Sequence, residues 1–266
     1  MKNNFFGIIN KILKARGFYL IKKYRLEHLE NKYDELTNEL EKNFQEFTPD
    51  YIPDKKRSEL LKKLYGTGVT EALYIVYFLN KSNQLSGDVC EFGIANGATS
   101  ALIANEIKKT KKNLWLFDSF KGLSKPTEND ILINDIFGLG SMEKYEGSMS
   151  YGVQEVEGRL AEIKFPRKKT RIIKGYIEKS IHNKSLPKKI SFAFIDFDLY
   201  QPIKIALDFL NKKLVPGGII LVDDYGYFSS GAKKAVDDFL NENKEKFKLT
   251  MPKKFAGYFC ILQKTK

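Results

Sequence analysis

The sequence predicts a doubly wound α/β domain with a mostly parallel sheet, preceded by a helical N-terminal extension. Three observations predict it. First, short apolar runs at Asp88–Phe92, Leu114–Asp118, Arg171–Lys174, Ser191–Asp196 and Gly218–Asp223 alternate with helical stretches at Ala98–Lys109, Pro202–Leu210 and Ala232–Phe247. Strand-helix alternation of this kind builds a parallel sheet covered on both faces. Second, most of these runs end on an acid, as an open sheet that binds ligands at its carboxyl edge does. Third, a chain of 266 residues holds one such domain with a sizeable core and an appendage.

The extension is expected over residues 1–54 and the domain over 55–266. Residues 1–25 carry seven basic residues and no acidic one. Phe5, Ile8, Ile9, Ile12 and Leu13 share one helical face there, which allows peripheral contact with an anionic membrane surface. Then Leu26, Leu29, Tyr33, Leu36 and Leu40 step by three and four, with charged residues between them. That two-per-heptad stripe predicts a helical seam and a homo-oligomer formed through N-terminal helices. Pro49 and Pro53 mark a turn, and a helical region from Lys55 to Asn80 is interrupted at Gly66 and Gly68. The tail, Lys248–Thr250 and Tyr258–Gln263, reads as an antiparallel pair of strands. The long segment from Pro126 to Pro166 carries several glycines and a helical stretch, Val153–Ile163, and is expected to be a mobile lid.

Hydrophobic residues make up 42% and charged residues 29%, values of a globular chain. No apolar run reaches the ~20 residues of a spanning helix, and the run Phe5–Ile9 is too short for a secretory signal. A cytoplasmic location is therefore expected. The net charge of +12 comes from lysines scattered along the chain, which fits a solvated surface and no nucleic-acid partner. A steep salt dependence of DNA or RNA binding would revive a nucleic-acid reading. Cys90 and Cys260 are too far apart for a CxxC metal site and sit in apolar runs, as buried thiols do. His28 and His182 lie among polar residues with no ligand spacing.

The chemistry concentrates in three motifs. Glu91-Phe92-Gly93-Ile94-Ala95-Asn96-Gly97-Ala98-Thr99-Ser100 ends a strand on an acid, turns on glycines and opens a helix. Glycines let a ligand approach the backbone, and a helix start offers free N–H groups. The pattern is not the dinucleotide GxGxxG, since Ala95 stands where a second glycine belongs. An acid at Glu91 repels a pyrophosphate and suits a cationic ligand, such as the amino or sulfonium group of S-adenosylmethionine. Asp118 ends the next strand, 21 residues beyond Gly97, where an acid binds ribose hydroxyls. Ser119 follows it. Asp196, Asp198, Asp223 and Asp224 end two further strands. Carboxylates gathered at one edge repel each other without a cation or a proton, and oxygen ligands select hard ions such as Mg²⁺. Tyr200 and Tyr225 flank this cluster, and Tyr176 is placed to pack on an adenine. An NAD-linked oxidoreductase is the main rival, disfavoured by the missing GxGxxG.

In this order, Glu91-Phe92-Gly93, Asp118-Ser119-Phe120-Lys121-Gly122, Asp196-Phe197-Asp198-Leu199-Tyr200, Asp223-Asp224-Tyr225 and Ala235-Val236-Asp237-Asp238-Phe239, the motifs resemble the macrocin O-methyltransferase family. The resemblance covers about residues 87–263. It implies a Rossmann-like class I methyltransferase fold, S-adenosylmethionine, a divalent cation and a sugar or glycoconjugate acceptor. The motifs themselves place Glu91, Gly93, Gly97, Ser100, Asp118, Ser119 and Tyr176 around the cofactor. By position, the resemblance implies Asp196, Asp223 and Asp224 as metal ligands and Asp198 as a general base, with a fourth ligand as the alternative role for Asp198.

Overall fold

The computed structural model describes residues 21–265. Of the expected amphipathic stretch from Phe5 to Tyr24, only residues 21–24 are described. Helix α1 (Lys23–Phe47) leads into α2 (Lys55–Leu61) and α3 (Val69–Ser82). Gly66 is left-handed, at φ 84°, and ends the first of the two predicted helical pieces. The domain then runs β1 (Asp88–Phe92), α4 (Ala98–Ile107), β2 (Leu114–Asp118), α5 (Val153–Glu162), β3 (Thr170–Lys174), α6 (Ile177–Ser180), β4 (Ile190–Ile195), α7 (Tyr200–Lys213), β5 (Leu214–Val222), α8 (Ser230–Glu242), β6 (Phe247–Thr250) and β7 (Cys260–Lys264).

These strands form one seven-stranded sheet in the order β3-β2-β1-β4-β5-β7-β6. Strands β1 to β5 pair in parallel, while β7 runs antiparallel to both β5 and β6. The doubly wound fold and the antiparallel tail are thus as the sequence predicts. β5 is longer than expected, starting at Leu214.

Alternation along the strands sorts the two cores. Val89, Leu116, Phe194 and Leu221 face α3, α4 and α5. Cys90, Phe117, Ile195 and Val222 face α7 and α8. Both cysteines are buried free thiols, as expected. The C-terminal half of α1 joins the first core: Leu40 and Phe44 pack on it, beside buried Tyr51. The Tyr51 hydroxyl donates to Glu41 at 2.6 Å, and the guanidinium of Arg57 lies over its ring. Arg57 in turn forms a bidentate pair with Glu106 of α4, which ties the extension to the domain.

Strand order reverses between β1 and β4, the switch point where open α/β sheets bind ligands. Register makes this edge specific. Phe117 pairs with Phe92, Phe92 with Ile195, and Ile195 with Val222. The next residue on each strand is Asp118, Gly93, Asp196 and Asp223, so these four stand in one row.

Among the described residues, no helix is long and apolar enough to cross a membrane.

Candidate active site

A cavity of about 350 Å³ opens at that row. Gly93, Ile94, Ala95, Asp118, Ser119, Tyr176, Asp196, Asp198, Asp223 and Asp224 contribute to its wall. Four loops turn into it, and each carries a left-handed residue other than glycine: Ala95 after β1, Phe120 after β2, Asp198 after β4 and Asp224 after β5. Such backbone costs about 1–3 kcal/mol per residue and collects where a site demands it.

The glycine turn is tight. A Cβ on Gly93, at φ 83°, would sit 1.8 Å from the Asp196 carbonyl oxygen. Only glycine lets the loops after β1 and β4 meet. Gly97, at φ 81°, starts α4, and a Cβ there would come within 3.0 Å of Val156 on α5. Gly97 therefore serves helix packing behind the cavity.

Asp118 fastens the same turn. Its Oδ2 accepts the Ile94 N–H at 2.8 Å, and its Oδ1 accepts the Phe120 N–H at 2.6 Å. Burial raises its pKa despite these hydrogen bonds. Ser119 accepts from the Lys121 N–H and donates to the Gly122 carbonyl, closing the adjoining turn.

Glu91 and Ser100 lie behind the turn and do not line the cavity. Glu91 is 1% exposed. Both its carboxyl oxygens and the Ser100 hydroxyl lack hydrogen-bond partners among the described residues. Burial pushes the Glu91 carboxyl up to about 8, with Ser100 opposing and Asp118 adding to the rise.

The acidic cluster does assemble. Asp196, Asp198 and Asp224 each present a carboxylate oxygen, and these oxygens lie within 4.8 Å of one another. β5 ends at Val222, and the left-handed turn at Asp224 aims its side chain at the residues beyond β4. Asp223 lines the same cavity, but its Oδ1 accepts its neighbour's N–H, that of Asp224, at 2.7 Å. Its carboxyl also meets that of Glu71 on α3. So the closest-set trio includes Asp198 rather than Asp223. Burial, followed by Asp223 and Asp198, pushes Asp196 well above the carboxylate range. Burial, Asp223 and Asp198 do the same to Asp224. Burial raises Asp198, and its hydrogen bond with Asp224 holds it back. Burial lifts Asp223 to about 6, against the Glu71 contact.

Sequence reasoning missed Glu71, which is 5% exposed. Its signal was an acid inside the apolar stretch from Val69 to Leu79. Also missed were apolar and aromatic residues of the cavity wall: Tyr65, Ile136, Phe137, Met149 and Tyr151. Tyr65 and Tyr151 meet edge to face, with centroids 5.9 Å apart. Tyr200 and Tyr225 are used otherwise, donating from their hydroxyls to Asp238 and Asp237 of α8.

The expected lid is fixed at its start. Asp130, 5% exposed, accepts the Tyr200 N–H at 2.7 Å. Ile131 exchanges hydrogen bonds with Ser230, and Ile133 donates to the Phe228 carbonyl. Met142 and Tyr145 pack on Leu199 and Phe228 in a small core of their own.

Comparison with known proteins follows the same geometry. The family model described as Macrocin-O-methyltransferase (TylF) matches residues 76–260. A curated relative from Streptomyces olivaceus, 8-demethyl-8-(2,3-dimethoxy-alpha-L-rhamnosyl)-tetracenomycin-C 4'-O-methyltransferase, is 22% identical over 161 residues. The match spans 59% of this chain and 59% of that protein. The O-methyltransferase NovP superposes with a TM-score of 0.63 at 19% identity, over 75% of this chain and 81% of that one. The calicheamicin methyltransferase CalS11 gives 0.59 at 16% identity, over 93% and 95%. TomG from Streptomyces achromogenes, solved in complex with SAM, gives 0.52 at 14% identity, over 88% and 99%. At these identities the structures show a shared fold.

Proposed function

Because the chain belongs to the macrocin-O-methyltransferase family, we propose that it transfers a methyl group from S-adenosylmethionine to a hydroxyl of a sugar or glycoconjugate, with the help of a divalent cation. The observation that carries this reading is one cavity in which the Gly93 turn, Asp118 and the carboxylates of Asp196, Asp198 and Asp224 converge.

The residues fit both groups. Gly93 lets the turn close on the loop after β4 and so shapes the cavity wall, Asp118 keeps lone pairs for ribose hydroxyls, and Tyr176 and Ser119 line the same cavity. Burial keeps Glu91, with two unpartnered oxygens behind the turn, protonated near neutral pH, and a positive charge bound on the cavity side would favour its ionised form. Gly97 and Ser100 support the turn from the packed side. S-adenosylmethionine supplies an electrophilic methyl on a positively charged sulfur.

Three carboxylates within 4.8 Å, none of them in an ion pair with a lysine or arginine among the described residues, suit a hard cation such as Mg²⁺. We assign Asp196 and Asp224 to hold it. Asp198 stands beside them to take the acceptor's proton, and Asp223 lies one step back against Glu71. A sugar hydroxyl has a pKa near that of water, about 15.7, and a free Asp about 3.9. The gap of about 12 units costs ~16 kcal/mol for full transfer. A bound cation supplies the missing acidity and orients the hydroxyl. Asp198, raised by burial, is a better proton acceptor than an exposed aspartate. The aromatic wall of Tyr65, Tyr151 and Phe137 suits the apolar face of a sugar ring and keeps water out.

The test is formation of S-adenosylhomocysteine from S-adenosylmethionine with a panel of glycosides and nucleotide sugars, read by mass spectrometry with and without Mg²⁺. A product one methyl heavier supports the reading. Binding of a nicotinamide cofactor in place of S-adenosylmethionine overturns it.

A further inference from the structure

Helix α1 buries only part of its apolar face. Thr37 is 1% exposed, and Leu40 and Phe44 pack on the domain core. The same face continues toward the N-terminus as Leu26, Leu29, Tyr33 and Leu36, which are 44%, 57%, 40% and 52% exposed. Helix α1 therefore overhangs the domain with a stripe of large apolar side chains at heptad spacing. An isolated helical stretch of this length is marginal in water, and a tertiary partner for its apolar face stabilises it.

Charge is biased along the overhang. Lys22, Lys23 and Arg25 outnumber Glu27 and Glu30 in its first half, and Asp34, Glu35 and Glu39 outnumber Lys32 in its second, although Lys23 pairs with Glu27, Lys32 with Glu35 and Asp34 with Lys62. Two copies aligned in parallel would set basic end on basic end and acidic end on acidic end. Two copies aligned antiparallel set each basic end on the partner's acidic end. The stripe is also symmetric about residue 31. In the antiparallel arrangement Leu26 faces Leu36 of the second copy, and Leu29 faces Tyr33.

We propose that the exposed stripe of α1 is a self-complementary surface that pairs two copies of this chain in antiparallel register, centred between Leu29 and Tyr33. The pairing is two-fold symmetric, so it closes as a dimer and does not propagate. It is independent of the methyl-transfer reading, because no residue of the stripe lines the cavity.

The full chain carries the test, since its two native cysteines are both buried and leave introduced thiols as the reactive ones. Light scattering on the full chain is expected to give the dimer mass, and Leu29→Glu with Leu36→Glu to give the monomer mass with an unchanged circular dichroism spectrum. Under mild oxidation, Leu26→Cys subunits mixed with Leu36→Cys subunits are expected to form a disulfide-linked dimer, while either variant alone forms at least tenfold less. A monomeric wild type overturns the proposal, whether residues 1–20 or a vesicle surface then covers the stripe. A dimer that survives the double Glu variant places pairing elsewhere. Efficient self-linking of Leu26→Cys alone means parallel helices, and also overturns it.

Discussion

The carboxyl of Glu71, on α3, meets the carboxyl of Asp223, on the loop after β5, in the wall behind the cavity. Glu71 keeps one oxygen unpartnered and is raised well above the carboxylate range by burial and then by Asp223. Two carboxyls in contact fix each other only when one keeps a proton or a cation intervenes. A neutral Gln therefore replaces Glu71 better than Ala does. Glu71→Gln is expected to retain most Mn²⁺ affinity, whereas Glu71→Ala, which frees Asp223 to turn, weakens it about tenfold. Titration followed by electron paramagnetic resonance reads this directly. Equal affinities for both variants would mean that Glu71 does not orient Asp223.

Asp118 has two tasks, so its loss separates by degree. Asp118→Ala removes a charged acceptor facing the cavity and two hydrogen bonds that hold the turns at Ile94 and Phe120. Hydrogen bonds to charged groups contribute about 1.5–3 kcal/mol each. S-adenosylmethionine affinity is expected to fall by about 1–3 kcal/mol, measured by calorimetry. Asp118→Asn retains one acceptor for the backbone N–H groups and should lie between wild type and Ala. An unchanged affinity in Asp118→Ala removes this residue from the cofactor site.

Glu91 sets a pH dependence of stability. Its folded pKa is about 8, above its unfolded value. The folded state thus holds a proton that the unfolded state gives up first. Its contribution is complete below the ordinary Glu pKa of about 4.3 and is lost progressively as pH rises toward 8. Glu91→Gln cannot ionise. The variant is expected to gain stability on wild type between about pH 5 and 8, by roughly 1.4 kcal/mol per unit at most. Urea denaturation at several pH values checks the slope, and parallel curves for the two proteins would refute the assignment.

The sheet was readable because each strand is a short apolar run bounded by turn residues, and burial on both faces leaves little other choice. The carboxyl edge was readable for a related reason: Asp118, Asp196 and Asp223 break apolar runs, and register then sets them level. What sequence could not supply was direction. Adjacent Asp223 and Asp224 diverge because the strand stops at Val222 and Asp224 turns left-handed. Asp198 joins Asp196 and Asp224 because it too is left-handed. Glu91 precedes and Ser100 follows the glycine turn in sequence, yet both lie on its packed side, a consequence of strand alternation and helix start that a motif does not encode. The cavity's aromatic wall comes from Tyr65 and Phe137, far apart in the chain, and only folding joins them.

The segment beyond Gly122 is expected to open in its middle and not at its ends. Asp130, Ile131 and Ile133 hold its start to α7 and the loop before α8, and α5 packs into the first core through Val156 and Leu160. Between these lie the exposed Ile136 and Phe137 at the cavity wall. Limited proteolysis is expected to cut near residues 136–141, with protection by S-adenosylhomocysteine plus acceptor. First cuts before Asp130, or equal rates with and without ligands, would count against a lid.

Metal and base separate by mutation. Asp196 is in the row of strand ends and in the trio of converging oxygens, so Asp196→Ala removes a central ligand. EDTA and Asp196→Ala are both expected to abolish turnover while S-adenosylmethionine affinity changes by less than about 1 kcal/mol, since Asp118 and the Gly93 turn remain in place. Cation affinity is expected to rise with pH, because burial and mutual repulsion make these carboxyls hold protons that a cation must displace. Asp198→Asn keeps an oxygen in the trio but cannot take a proton. General-base loss typically costs about 10²–10⁴ in rate, so turnover should fall by about that factor with Mn²⁺ affinity within about tenfold of wild type. If Asp198→Asn instead releases the cation, Asp198 is a ligand first, and the proton goes to Asp223, whose carboxyl is lifted to about 6. Full activity in EDTA, unaltered by added Mg²⁺, would leave the converging carboxylates without a catalytic cation and refute the mechanism.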